Sequence, residues 1–285
     1  MQIIDSQVHI WAADNAQRPW PKTGIVPRRT SPYLLDNLLR DMDSAGVDGA
    51  IIVPPAWEGD RNDLGLDAAR LYPQRFAVMG RIDVLDLASR NLIENWRRQP
   101  GMLGLRMVLR HEPWRSAFAD GHLDWLWAAA EQHRVPLMIM AFPDQYGLVD
   151  AVAARHPDLK LTMDHLGIPS GTKDATAFAH LDDLIKLARR ANVAVKASAL
   201  PSYTSDVYPF RALHPHLHRV YDVFGPRRIF WGSDVTQLSC TLNDAVTSFR
   251  DEIPWLDNDD KAWIMGRGIC AWLNWEIPAA SLIHR

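Results

Sequence analysis

The feature that most constrains this chain is an alternation: eight short apolar runs, each separated from the next by a stretch with helical spacing. The runs are IIDSQVHI at 3–10, GAIIV at 49–53, FAVMGRI at 76–82, GLRMV at 104–108, VPLMIMA at 135–141, LKLTMDH at 159–165, VAVKASA at 193–199 and RIFWGSD at 228–234. Between the first two, Ser31 and Pro32 resemble an N-cap and a first helical residue, Leu34, Leu35, Leu38, Leu39 and Met42 form an apolar stripe, and Gly46 supplies a stop. Similar helical signals recur at 63–72, 86–98, 121–134, 145–156, 176–192, 211–224, 241–252 and 258–273. Strands alternating with helices favour a parallel sheet, because every parallel connection must cross over the sheet. Closing eight such units gives an α/β fold, a single (β/α)8 TIM barrel. A doubly wound open sheet has the same alternation, but no glycine-rich nucleotide fingerprint follows the first strand.

The chain has 285 residues, within the range of one barrel domain, so 1–285 is read as a single domain. Lys and Arg total 31 against 34 Asp and Glu, dispersed along the chain, which argues against nucleic acid or an anionic membrane as partner. A small molecule is the expected partner. No run approaches the ~18 apolar residues of a membrane span, and Met1–Ile4 passes into strand-like sequence without a secretory signal, so a cytoplasmic location is expected. Cys240 and Cys270 lie in no CxxC or Cys/His cluster and read as buried small apolar residues. Twelve tryptophans, including Trp263, Trp272 and Trp275, suit either helix packing or an interface, which leaves the oligomeric state open.

On a strand, residues two apart share a face, which puts Asp5, Gln7 and His9 on one side of the first strand and Ile4, Ser6, Val8 and Ile10 on the other. Active sites of barrels lie at the C-terminal ends of the strands, where His9, His165 and Asp234 all fall. Each has a plainer reading: His9 as a satisfied core histidine, Asp234 as the cap of a following helix. Asp164 and His165 are adjacent, hence on opposite faces, and His165 is taken to enter the mouth. Lys196, on the seventh strand, would neutralise carboxylates, bind an anionic substrate or, more plainly, form a structural ion pair. Arg81 and especially Arg106, near the ends of the third and fourth strands, suit carboxylate recognition. Trp57, Arg61 and Asn62 follow the second strand in a loop expected to border the same mouth.

The segments IIDSQVHIW, GLRMVL, LTMDHLG, VAVKASAL and RIFWGSD resemble, in order, the strand signatures of the amidohydrolase-2 family, over essentially the whole chain. The likeness is greatest to a branch containing sugar lactonases, 2-pyrone-4,6-dicarboxylate lactonase and sulfomuconolactone hydrolases. It implies that Asp234 deprotonates the attacking water and that His165 is the strand-six histidine, with His9, His165 or Arg106 stabilising the oxyanion. The pattern departs from the family at Gln7, which stands where His-x-His is usual, and at the fifth strand, which has no histidine. An amide oxygen is a weak substitute for imidazole at a transition metal, so no metal is expected to be required; any divalent ion, such as zinc, would be loosely held by His9, His165 and Asp234. Lactone opening is preferred because lactones need less Lewis-acid activation than amides. The alternatives are a metal-dependent nonoxidative decarboxylase and a non-catalytic ligand-binding barrel. Arg61, Arg81, Arg106 and Lys196 would suit a carboxylated lactone, Asn62, Tyr203 and tryptophan-lined surfaces an aldonolactone, and Gln7 would contact either.

Overall fold

The structure, a computed structural model, describes residues 1–22, 25–29 and 31–276. Strands β1 (Ile4–Val8), β2 (Gly49–Ile52), β3 (Phe76–Gly80), β4 (Met102–Val108), β5 (Leu137–Met140), β6 (Leu161–Met163), β7 (Val193–Ser198) and β8 (Ile229–Gly232) pair in parallel in sequential order. The expected barrel is therefore the fold. Its seam is closed beyond the strand ladder: the Asp234 N–H donates to the Gln7 carbonyl at 2.8 Å, and the Ser233 N–H and hydroxyl both donate to the Asp5 carboxylate.

The strands are buried on both faces, as parallel strands wrapped by helices must be. Outward side chains such as Ile52, Val78, Ile139 and Val195 join the helices in the main core, while Ile4, Ile51, Met79, Met138, Ala194 and Phe230 fill the barrel interior with Ile269, Leu273 and Trp275. Gly232 belongs to the seam because a Cβ there would lie 2.7 Å from Ser6 Oγ and 3.1 Å from the Gln7 nitrogen. Gly232→Ala is expected to cost about 1–3 kcal/mol by overpacking, lowering the calorimetric melting midpoint by roughly 2–10 °C. An unchanged midpoint would show that the seam is looser than its packing indicates.

Several expected details are corrected. The helix after β1 spans Leu35–Ala45 and starts at Leu34, not Ser31: the Leu34 N–H donates to the Asn37 side chain at 3.1 Å. The Gly46 stop is present, in the left-handed region at φ 70°. The stretches at 86–98 and 176–192 are broken into short α and 3-10 turns, and an additional helix, Trp114–Ala119, follows β4. A single π turn at Trp263–Arg267 interrupts the last helical stretch, where a Cβ on Gly266 would meet the Gln2 carbonyl at 2.7 Å. Strict alternation fails in β1. A register shift between Asp5 and Val8 leaves Ile4 in the barrel interior and Val8 in the outer core, so the two do not share a face. Cys240 and Cys270 are free and half-buried rather than fully buried. Trp272 and Trp263 lie under the cations of Lys160 and Arg227 within the chain. No helix of the described residues is long and apolar enough to cross a membrane.

Candidate active site

The ends of β6, β7 and β8 share an unusual backbone. His165 (φ 52°), Leu166 (φ 50°), Ala199 (φ 57°) and Asp234 (φ 48°) all adopt the left-handed region, which costs a residue with a Cβ about 1–3 kcal/mol and persists where surrounding structure over-determines it. This corrects the choice between Asp164 and His165. Leu161 and Met163 pack outward, so alternation already sends Asp164 inward; the left-handed turn then brings His165 to the same space. Both are buried and both take part.

Asp164 is the electrostatic centre of the floor. Lys196 Nζ lies 2.6 Å from its Oδ1 and Arg106 Nε 3.0 Å from its Oδ2. Burial would raise the Asp164 pKa, but the Lys196 and Arg106 cations outweigh it and hold the carboxyl below the usual range. Lys196 is fully buried and also donates to Gln7 Oε1 at 2.5 Å. That bond fixes the Gln7 amide with its N–H toward His9 Nε2, 3.3 Å away, while His9 Nδ1 donates to the Val53 carbonyl. His9 is therefore a neutral ring with its Nε2 lone pair occupied, and burial, reinforced by Arg106, pushes its pKa down to about 3. Such a ring has no proton for an oxyanion, which removes His9 from that part of the expected machinery. His165, pushed down to about 3 chiefly by burial, places Nδ1 at 2.8 Å from the Ser198 hydroxyl.

Asp234 closes the constellation. Its Oδ1 lies 3.6 Å from His9 Nε2 and its Oδ2 3.8 Å from His165 Nε2, and Oδ1 makes no hydrogen bond among the described residues. Burial pushes its pKa up to about 7, with Arg106 opposing and Asp5 reinforcing the rise. A buried acceptor without a partner is costly unless something binds there. Above it opens a cavity of about 390 Å³, whose lining includes His9, Trp57, Arg106, His165, Tyr203 and Asp234. Trp57 packs edge-on to His9, and Tyr203 keeps its phenol proton because burial, then Asp234, raises its pKa.

The other expected residues stand elsewhere. Lys196 and Gln7 support the floor without lining the cavity. Arg81 is buried against Asp60 at 3.5 Å, and Asn62 clamps the Arg81 backbone through bonds of 2.8 and 2.9 Å. Arg61 is half-buried and donates to the Pro19 carbonyl. None of the three lines the cavity, so their expected contact with substrate is replaced by structural roles. Asp164, Ser198, Arg28, Arg110 and Lys173 are the additions. Alternation from Leu161 and Met163 was the available signal for Asp164; the loop cations carried none.

A metal fits these residues poorly. Among the described residues no group of three or more His, Cys, Asp or Glu is arranged to hold an ion. Gln7 gives its amide oxygen to an ammonium, and the lone pair of His9 is already engaged.

Residues 4–267 match the sequence profile of the amidohydrolase family. An L-fucono-1,5-lactonase of Burkholderia multivorans is 29% identical over 251 residues, covering 81% of this chain and 81% of that protein. One from Burkholderia ambifaria is 26% identical over 236 residues, covering 81% and 79%. An amidohydrolase of Burkholderia multivorans, crystallised with bound zinc, shares the fold with a TM-score of 0.79 at 24% identity, over 96% of this chain and 99% of that one.

Proposed function

The chain belongs to the amidohydrolase family, and from that premise we propose that it is a hydrolase of cyclic esters in which Asp234 activates water to open a lactone ring. The lactonases it resembles supply the reaction class. The observation that carries the mechanism is the unpartnered Oδ1 of Asp234, buried at the bottom of the cavity on a carboxyl whose pKa is pushed up to about 7. A general base is most effective when its pKa lies near the working pH.

Ionised Asp234 takes a proton from water as the oxygen attacks the lactone carbonyl. The tetrahedral oxyanion accepts hydrogen bonds from Arg106, and from His165 Nε2–H when Ser198 donates to the other ring nitrogen. Collapse breaks the ring C–O bond, and the departing alkoxide recovers the proton from Asp234. The product is a hydroxy acid.

No step in this reading passes through a metal. The test is proton release from a lactone panel by chelated protein, with metal content measured alongside. Turnover that survives chelation is the expected result. Turnover that appears only on adding zinc or manganese would overturn the metal-free mechanism, and carbon dioxide release from an aromatic acid would replace hydrolysis with decarboxylation.

A further inference from the structure

The cavity is asymmetric in charge. Among the described residues Asp234 is the only carboxylate that lines it, whereas four cations do: Arg28, Arg106, Arg110 and Lys173. Arg106 is neutralised from below by Asp164. The other three have no carboxylate bound to them among the described residues. Arg28 donates to the Gln237 carbonyl at 2.7 Å. Arg110 donates to Ser170 Oγ at 2.6 Å and to His111 Nε2 at 3.1 Å. Beside Lys173, the carboxylate of Asp174 is turned to Thr204 and Ser205 at 3.1 and 2.7 Å. Three of the four lining cations thus have no protein carboxylate in contact among the described residues, Arg110 half-buried and Arg28 and Lys173 exposed.

Arg110 is the best placed of the three to read a ligand. It is half-buried, its guanidinium lies over the Phe142 ring at 6.0 Å, and two fixed hydrogen bonds leave further N–H donors free. A guanidinium held in this way meets a carboxylate with two parallel bonds and loses little side-chain freedom in doing so. Burial and the neighbouring Arg106 charge both disfavour its cationic form, a penalty an anion in the cavity relieves. His111, kept neutral by burial and Arg110, adds no competing charge.

We infer that the substrate is a lactone bearing a carboxylate outside its ring, which Arg110 binds with help from Arg28 and Lys173 while Arg106 faces the reacting carbonyl. This rests on the hydrolase reading and deepens it. A neutral sugar lactone leaves these cations without a counter-charge, whereas a lactone acid supplies one. Ring opening then yields a second carboxylate on the Arg106 side, so the product is a dicarboxylate.

The test uses matched pairs that differ only at one terminus, carboxylate against hydroxymethyl: glucarolactone against gluconolactone, and galactarolactone against galactonolactone. The lactone acids are expected to show the higher kcat/KM, and Arg110→Gln to shrink that preference by about 10–100-fold, the usual worth of hydrogen bonds to a charged group. Raising the ionic strength should shrink it as well. Equal kcat/KM for both members of each pair, or an Arg110→Gln variant that keeps the preference intact, overturns the inference. If neither lactone is opened, calorimetric binding of glucarate against neutral glucitol separates the two claims. Preferential glucarate binding lost in Arg110→Gln keeps the anion site and discards lactone hydrolysis; no preference overturns the anion site.

Discussion

Asp234→Asn is expected to lower lactone kcat by about a thousandfold or more, the upper part of the range for losing a general base, while the fold is retained. Asparagine keeps the shape of the side chain and tolerates the left-handed backbone at φ 48° as well as aspartate does. In the wild type, kcat/KM should rise with pH and level off above about 7, because burial pushes the Asp234 pKa up to about 7 and only the ionised form accepts the proton. The same shift has an opposite consequence for stability. A carboxyl whose pKa rises from 3.8 to about 7 on folding binds its proton more tightly in the folded state, so its stabilising contribution is present at low pH and lost as pH rises through about 7. Asparagine does not ionise. The variant should therefore melt near the wild type at acid pH and above it at pH 8, a comparison scanning calorimetry makes directly. A variant that is inactive and also less stable at pH 8 would mean that Asp234 holds the seam together rather than sitting uncompensated in the site.

Much of this was legible in the sequence because strands and their ends follow simple rules. Eight apolar runs at 3–10 through 228–234 contain the eight observed strands, allowing for β4 starting at Met102, and the polar residues that end strands include His9, His165 and Asp234, which the fold brings to one cavity. The failures begin where the period of two breaks. Asp164 escapes a rule by which adjacent strand residues cannot share a face, because that rule holds only until a left-handed residue such as His165 turns the chain. The register shift in β1 likewise separates Ile4 from Val8. Arg81 and Asn62 resemble substrate contacts in the sequence because a strand end and its loop look alike whether they face a ligand or each other. Arg28, Arg110 and Lys173 were invisible for a different reason. They sit on loops, where spacing carries no information about direction, and only the folded barrel brings them to one cavity.

Lys196→Met should be the most destabilising single change in the floor. The substitution preserves most of the side-chain volume but strips Asp164 of its closest cation, leaving Arg106 alone against a fully buried carboxylate. Breaking one side of a buried ion pair typically costs about 3–5 kcal/mol, which for a chain of this size is a fall of roughly 10 °C in the melting midpoint. If the loss comes from the stranded charge, the double variant Lys196→Met, Asp164→Asn should recover part of it, because the carboxylate that needed the ammonium is gone. A double variant as unstable as the sum of the two singles would locate the loss in packing around Met138, whose sulfur lies 3.1 Å from Lys196 Nζ, and not in charge. Function should respond in a separate way. The Lys196 cation helps keep Asp234 acidic, so removing it should move the rising limb of the pH profile to higher pH. Gln7 would also lose the donor that orients its amide toward His9. A buried ammonium at this place gives both ends of the Gln7 amide a partner: its oxygen accepts from Lys196 and its nitrogen faces His9.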